Sequence, residues 1–119
     1  MILHFENARL IDPEDGTENL GSLTVQDGFI AARDEAAPEG AEVIDCKGRC
    51  LAPGIVDWGV KVGEPGERHK ESYASAGRAA ADRGVTTRIV RPDTAPPTDS
   101  PESLDFVSTR AQDAPVRVR

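Results

Sequence analysis

The sequence predicts an α/β protein: a small antiparallel β unit over residues 1–54, then the opening βα units of a larger parallel arrangement over residues 55–119. Three observations lead there. The first fifty residues break into short β-prone runs separated by turn dipeptides. After Pro53-Gly54 the pattern alternates strand, helix, strand, helix, strand, the order of a parallel sheet or barrel. Charge changes at the same place: residues 1–48 hold eleven acidic and three basic side chains, whereas residues 49–119 hold ten acidic and eleven basic.

Taken in order, Ile2–Phe5 and Ala8–Ile11 are apolar-rich strands, and the DPEDG segment after them supplies turn chemistry. In SLTVQDGFIAAR, Asp27-Gly28 lies between two β-prone runs, a hairpin signal because glycine accepts the positive φ of such turns. AEVIDCKGRCLAPG repeats the pattern with Lys47-Gly48 at the turn. Ile55–Val62 then reads as a strand and Glu64-Pro65-Gly66 as a tight loop. Ser72–Arg83 is alanine-rich and helical, with Gly84 as its C-terminal stop. Val85–Val90 is the next strand, followed by the proline-rich PDTAPPTDS loop. Pro101–Gln112 is a second helix: Ser100 caps it, proline suits the first helical position, and Glu102 sits near the positive end of the dipole. PVRVR begins a third strand.

Composition narrows the function. Hydrophobic residues make up 38% and aromatic residues 4%, lean for one core but above the range of a disordered chain. No apolar run approaches the ~20 residues that span a bilayer, and MILHFENARL lacks the basic and apolar regions of a signal peptide, so a cytoplasmic location is expected. The acidic first segment, and Arg83, Arg88 and Arg91 without interleaved aromatics, argue against nucleic acid. Cys46 and Cys50 form no disulfide framework, and with His4 and His69 distant in sequence they read as small buried residues of a hairpin.

Three segments carry a resemblance: APGIVDWGVKVGEPGERHKES, AGRAAADRGVTT and RPDTAPPTDSPESLDF. Together, over about residues 48–106, they resemble the dihydroorotases of the amidohydrolase superfamily. The family pattern there is D-x-H-x-H-x-R-E-P-G, an alanine-rich helix ending G-x-T-T, then M-P-N-T-x-P-x-x-D. The resemblance implies a zinc-dependent hydrolase of cyclic amides on a (β/α)8 barrel, preceded by N-terminal strands. Such a barrel needs ~250 residues, so two and a half βα units imply a truncated piece of a longer protein.

The departures from that pattern decide the functional expectation. Aligned on Asp57 and Glu64-Pro65-Gly66, the two histidine positions hold Gly59 and Lys61, and the arginine that grips the substrate carboxylate in the family is Gly63. The asparagine of the second motif is Asp93, and its methionine is Arg91. Strict alternation would set Asp57, Gly59, Lys61 and Gly63 on one face and Trp58, Val60 and Val62 on the other, making Trp58 a core residue. Zinc wants imidazole nitrogen or carboxylate oxygen; glycine offers no ligand and lysine offers a cation. Gly63 cannot clamp a carboxylate, and Asp93 puts an anion where an anionic substrate would sit. These five positions, Asp57, Gly59, Lys61, Gly63 and Asp93, therefore read as a vestigial site with no catalytic, cofactor-binding or metal-binding residue. Lys61 either neutralises Asp57 in place of the missing metal or extends to the barrel mouth. His69 reads as structural, and Glu64 as a loop residue accepting backbone N–H groups.

The expectation is a catalytically silent dihydroorotase-like protein with no cofactor. By resemblance to inactive companions of that family, its partner would be aspartate transcarbamoylase, in pyrimidine biosynthesis, or a second copy of itself. One alternative is the N-terminal part of a divergent metal-dependent cyclic amidohydrolase whose ligands come from later strands. A non-functional gene fragment is the other.

Overall fold

The structure, a computed structural model, describes all residues from Met1 to Arg119. The chain divides into two compact units, Met1–Pro53 and Gly54–Arg119.

The first unit is a five-stranded sheet. Its long strands are β1 (Ile2–Asp12), β2 (Thr17–Gln26) and β3 (Phe29–Arg33); the short ones are β4 (Glu42–Asp45) and β5 (Cys50–Leu51). β1 is one strand where the sequence suggested two. A register irregularity between Phe5 and Ala8 lets it continue through Asn7, whose φ is +52°. β1–β2 and β2–β3 pair antiparallel, and the turn between β2 and β3 takes positive φ at Asp27 and Gly28, as its residues require. The second expected hairpin does not form. Lys47 and Gly48 do turn with positive φ, yet β4 and β5 both pair parallel with β1 and not with each other. A turn dipeptide fixes local backbone, whereas the partner is chosen by the strand with free edge groups, here β1. Cys46 is half-buried and Cys50 exposed, so the latter is not the buried residue expected.

The second unit is a three-stranded parallel sheet in the order β6-β7-β8, with β6 at Ile55–Val60, β7 at Val85–Val90 and β8 at Arg117–Val118. Helices α1 (Tyr73–Ala81) and α2 (Pro101–Ala111) provide the crossovers. Ser72 and Ser100 each cap a helix by accepting the backbone N–H three residues on, from Ser75 and Ser103 at 3.2 Å. The core lies between helices and sheet. Val62, Tyr73, Ala76 and Val107 are buried, and Val60, Val90, Ala111 and Val118 pack against them. No helix is long and apolar enough to cross a membrane.

Candidate functional site

β6 is two residues shorter than expected and its alternation is broken. It pairs Asp57 with Arg88, Trp58 with Ile89 and Val60 with Val90, leaving Gly59 as an unpaired bulge at φ +76°. Val60 and Val62 face the helices as expected. The bulge reverses the residues before it. Arg88, paired with both Asp57 and Val118, lies on the helix side, so Asp57 lies there too and Trp58 takes the opposite face. Trp58 is 82% exposed, not core. Strict alternation would put the indole on the helix-packed face with Val60 and Val62; a glycine inside the strand is the sequence signal that the alternation fails.

The charges follow the same correction. Lys61 does not neutralise Asp57; that carboxylate lies 3.8 Å from Arg88 Nε, and Arg88 is itself largely buried. Lys61 is exposed, and its field helps hold the Glu67 carboxyl below the usual carboxylate range, chiefly an effect of the hydrogen bond from Lys70. Asp93 is exposed and accepts from Arg91 Nη2 at 2.6 Å, so the two departures in the second motif neutralise each other.

Gly63 is enclosed by the loop that follows. Its carbonyl accepts from Glu67 N–H at 2.6 Å, and Glu67 O accepts from Lys70 N–H at 2.8 Å. A Cβ at Gly63 would lie 2.7 Å from Glu67 O and 3.0 Å from Glu71 O, both backbone atoms. Any side chain there requires the loop to move. His69, in the same loop, is exposed, and His4 is buried with its Nδ1 2.9 Å from Thr24 Oγ1.

The most deeply placed ionisable group is Glu64, 1% exposed. Its Oε2 accepts the Tyr73 backbone N–H at 3.2 Å, the role expected for it. Its Oε1 accepts Arg110 Nε at 2.8 Å and lies 3.5 Å from Arg68 Nε. No local pattern in the sequence marks Arg110 as the partner, because it is 46 residues away and only the fold brings it to the loop. Burial, and then the Glu64 charge, raise the Tyr73 phenol above its ordinary value, with Arg88 opposing. Both carboxylate oxygens of Glu64 are thus engaged by groups of the loop and helices, which ties the loop down.

The zinc implied by the resemblance does not fit these residues. The positions of the two family histidines carry a glycine in a left-handed conformation and an exposed ammonium. Nowhere do three or more His, Cys, Asp or Glu side chains gather as a metal shell. What the arrangement offers is a loop tied down by Glu64 and a strand end without ligands.

No family model matches the chain. The dihydroorotase of Streptococcus pneumoniae serotype 4 is 37% identical over 119 residues, 99% of this chain and 28% of that protein. The dihydroorotase of Bacillus cytotoxicus is 43% identical over 111 residues, 92% of this chain and 26% of that protein. The solved L-hydantoinase (dihydropyrimidinase) of Arthrobacter aurescens matches 98% of this chain and 26% of its own, with a TM-score of 0.83 at 27% identity. The chain thus spans about a quarter of the length of the relatives it matches. It is a dihydroorotase-like chain of the amidohydrolase superfamily, carrying the N-terminal strands and first βα units of that barrel.

Proposed function

We propose that this chain is a catalytically silent dihydroorotase-like protein that serves as a structural partner of aspartate transcarbamoylase in pyrimidine biosynthesis. One observation supports the silent reading: the backbone disfavours the family's residues at two of the vestigial positions, by left-handed strain at Gly59 and by close backbone atoms at Gly63. A histidine at position 59 would sit at φ +76°, where L side chains are strained. An arginine at position 63 would drive its Cβ into backbone oxygens. These are losses of backbone geometry as well as of side chains, so a single reversion does not restore a site. A strand in this state can still contribute helices, a sheet and a tied loop to an assembly.

The test uses the full chain. Purified with aspartate transcarbamoylase, it is expected to co-elute at fixed stoichiometry and to hydrolyse no dihydroorotate with zinc supplied. Turnover of dihydroorotate would sink the silent reading. Normal assembly of the transcarbamoylase without this chain would sink the partnership.

A further inference from the structure

We propose that the concave face of the first unit's sheet is a binding site for a small apolar amine, with Asp34 receiving its ammonium group. The site lies within Met1–Pro53 and does not depend on the state of the vestigial positions in the second unit.

Register builds the cavity. β2 is continuous, so Thr17, Asn19, Gly21 and Leu23 share one of its faces. Their partners lie on the same face: Asp12 opposite Thr17, Leu10 opposite Asn19, and Arg33 opposite Leu23. Leu51 of β5 joins that face through its pairing with Leu10, and Ile30 of β3 through Val25. In a flat sheet the rows of Thr17 and Leu23 would stand roughly 20 Å apart along β2. Yet Arg33 Nη1 and Nη2 each donate to Asp12 Oδ2 at 3.4 Å. The sheet is therefore curled. The ion pair spans a cavity of about 270 Å³ whose apolar wall is Leu10, Leu23, Ile30 and Leu51. A mostly apolar hollow with a few convergent polar groups is the common form of a small-ligand site, and this volume suits a single ring or a short branched chain.

Charge selects the ligand. Three ionisable side chains line the cavity: Asp12, Arg33 and Asp34. Arg33 is matched by Asp12, which leaves the negative charge of Asp34 in excess. Asp34 holds a left-handed backbone, φ +56°, and its Oδ1 accepts the Ser22 N–H at 3.1 Å. Gly21 admits that carboxylate to the cavity. A Cβ there would overlap Asp34 Oδ1 and lie 3.2 Å from Leu10 Cδ1, so the carboxylate rests beside the apolar wall only because position 21 has no side chain. Asn19 lines the same cavity and offers an amide oxygen as a second acceptor. An ammonium on an apolar body answers both features: the carboxylate takes the charge and the leucines take the body. A carboxylate ligand would instead meet a like charge, and a neutral one would leave Asp34 unmatched.

The test titrates the full chain with phenethylamine, isoamylamine and cyclohexylamine, read by calorimetry and by backbone amide NMR shifts. Phenethyl alcohol and hydrocinnamate are the neutral and anionic counterparts. At least one amine is expected to saturate with a Kd below about 1 mM and to move the amide signals of Leu10, Gly21 and Leu51. The alcohol and the carboxylate should bind at least about tenfold more weakly. Asp34→Asn keeps an acceptor for the Ser22 N–H and should weaken the amine at least about tenfold; Gly21→Ala, which displaces the carboxylate, should do the same. If either variant fails to fold, the amine-to-alcohol ratio on the parent chain decides alone. Binding at parental strength by a folded Asp34→Asn chain would overturn the proposal. So would saturation by none of the three amines, equal affinity for phenethyl alcohol, or shifts confined to the second unit.

Discussion

Replacing Arg110 with methionine tests whether the buried carboxylate of Glu64 is a structural centre of the second unit. Glu64 is 1% exposed, accepts from Arg110 Nε at 2.8 Å and Tyr73 N–H at 3.2 Å, and has Arg68 Nε 3.5 Å away as a further ion-pair partner. Breaking a buried ion pair from one side typically costs about 3–5 kcal/mol, because the other charge stays behind without compensation. Arg68 can recover part of that. It is 67% exposed, and an exposed pair is worth up to about 1 kcal/mol, which leaves a loss of about 2–4 kcal/mol. Arg110 also lies 3.4 Å from the exposed Asp113, a contact whose loss adds at most a few tenths of a kcal/mol. Urea unfolding followed by far-UV circular dichroism gives the number. Tryptophan emission is a poor probe here, since Trp58 is already exposed in the folded chain. Glu64→Gln should cost less, about 1–2 kcal/mol, because it removes the charge and keeps an acceptor for Tyr73 N–H. The double variant Glu64→Gln with Arg110→Met should then cost clearly less than the two single losses together. An Arg110→Met loss below about 0.5 kcal/mol, or strict additivity in the double variant, would refute the assignment.

Three further outcomes follow from the same geometry. Gly59→His should destabilise the chain by about 1–2 kcal/mol through its left-handed backbone, and zinc titration calorimetry should detect no gain in binding. Gly63→Arg should cost about 1–3 kcal/mol, because the loop backbone at Glu67 and Glu71 must shift; equal unfolding midpoints for variant and parent would show that the loop yields freely. The single tyrosine allows a clean alkaline titration by ultraviolet absorbance. Its ordinary value is 10.0, and burial, with the Glu64 charge second, raises it. Because the folded chain holds that proton more tightly than the unfolded chain, the stabilisation is complete below pH 10 and is lost as pH rises through the folded value. Phenolate formation in the native chain at or below the ordinary value would contradict the burial.

Much of the fold is legible because each element is specified locally. Ser72 and Ser100 mark both helix starts, Asp27-Gly28 marks a turn with positive φ, and β7 falls at Val85–Val90 as the β-prone run implies. The departures from the resembled pattern at Gly59, Lys61, Gly63 and Asp93 are equally legible, since they are identities at spaced positions. What the sequence does not reveal is long-range or depends on a break in period. The parallel pairing of β4 and β5 with β1 is a competition between strands that no turn residue decides. The partners Arg110 for Glu64 and Arg88 for Asp57 lie 46 and 31 positions away, beyond any local pattern. The bulge at Gly59 has the widest consequence. One extra residue moved Asp57 and Trp58 to opposite faces and replaced an imagined Lys61–Asp57 pair with Arg88–Asp57. Gly63 is the reverse case: its identity removed a guanidinium from view, but only the fold reveals that backbone has closed over the space.

The central claim is that the strand running through Asp57, Gly59 and Lys61 contributes no ligand to a divalent ion. An anomalous difference map from zinc-soaked crystals of the full chain measures this directly. The expected map has no peak within coordination distance of residues 57–63; a strong peak bonded to any of them would contradict it.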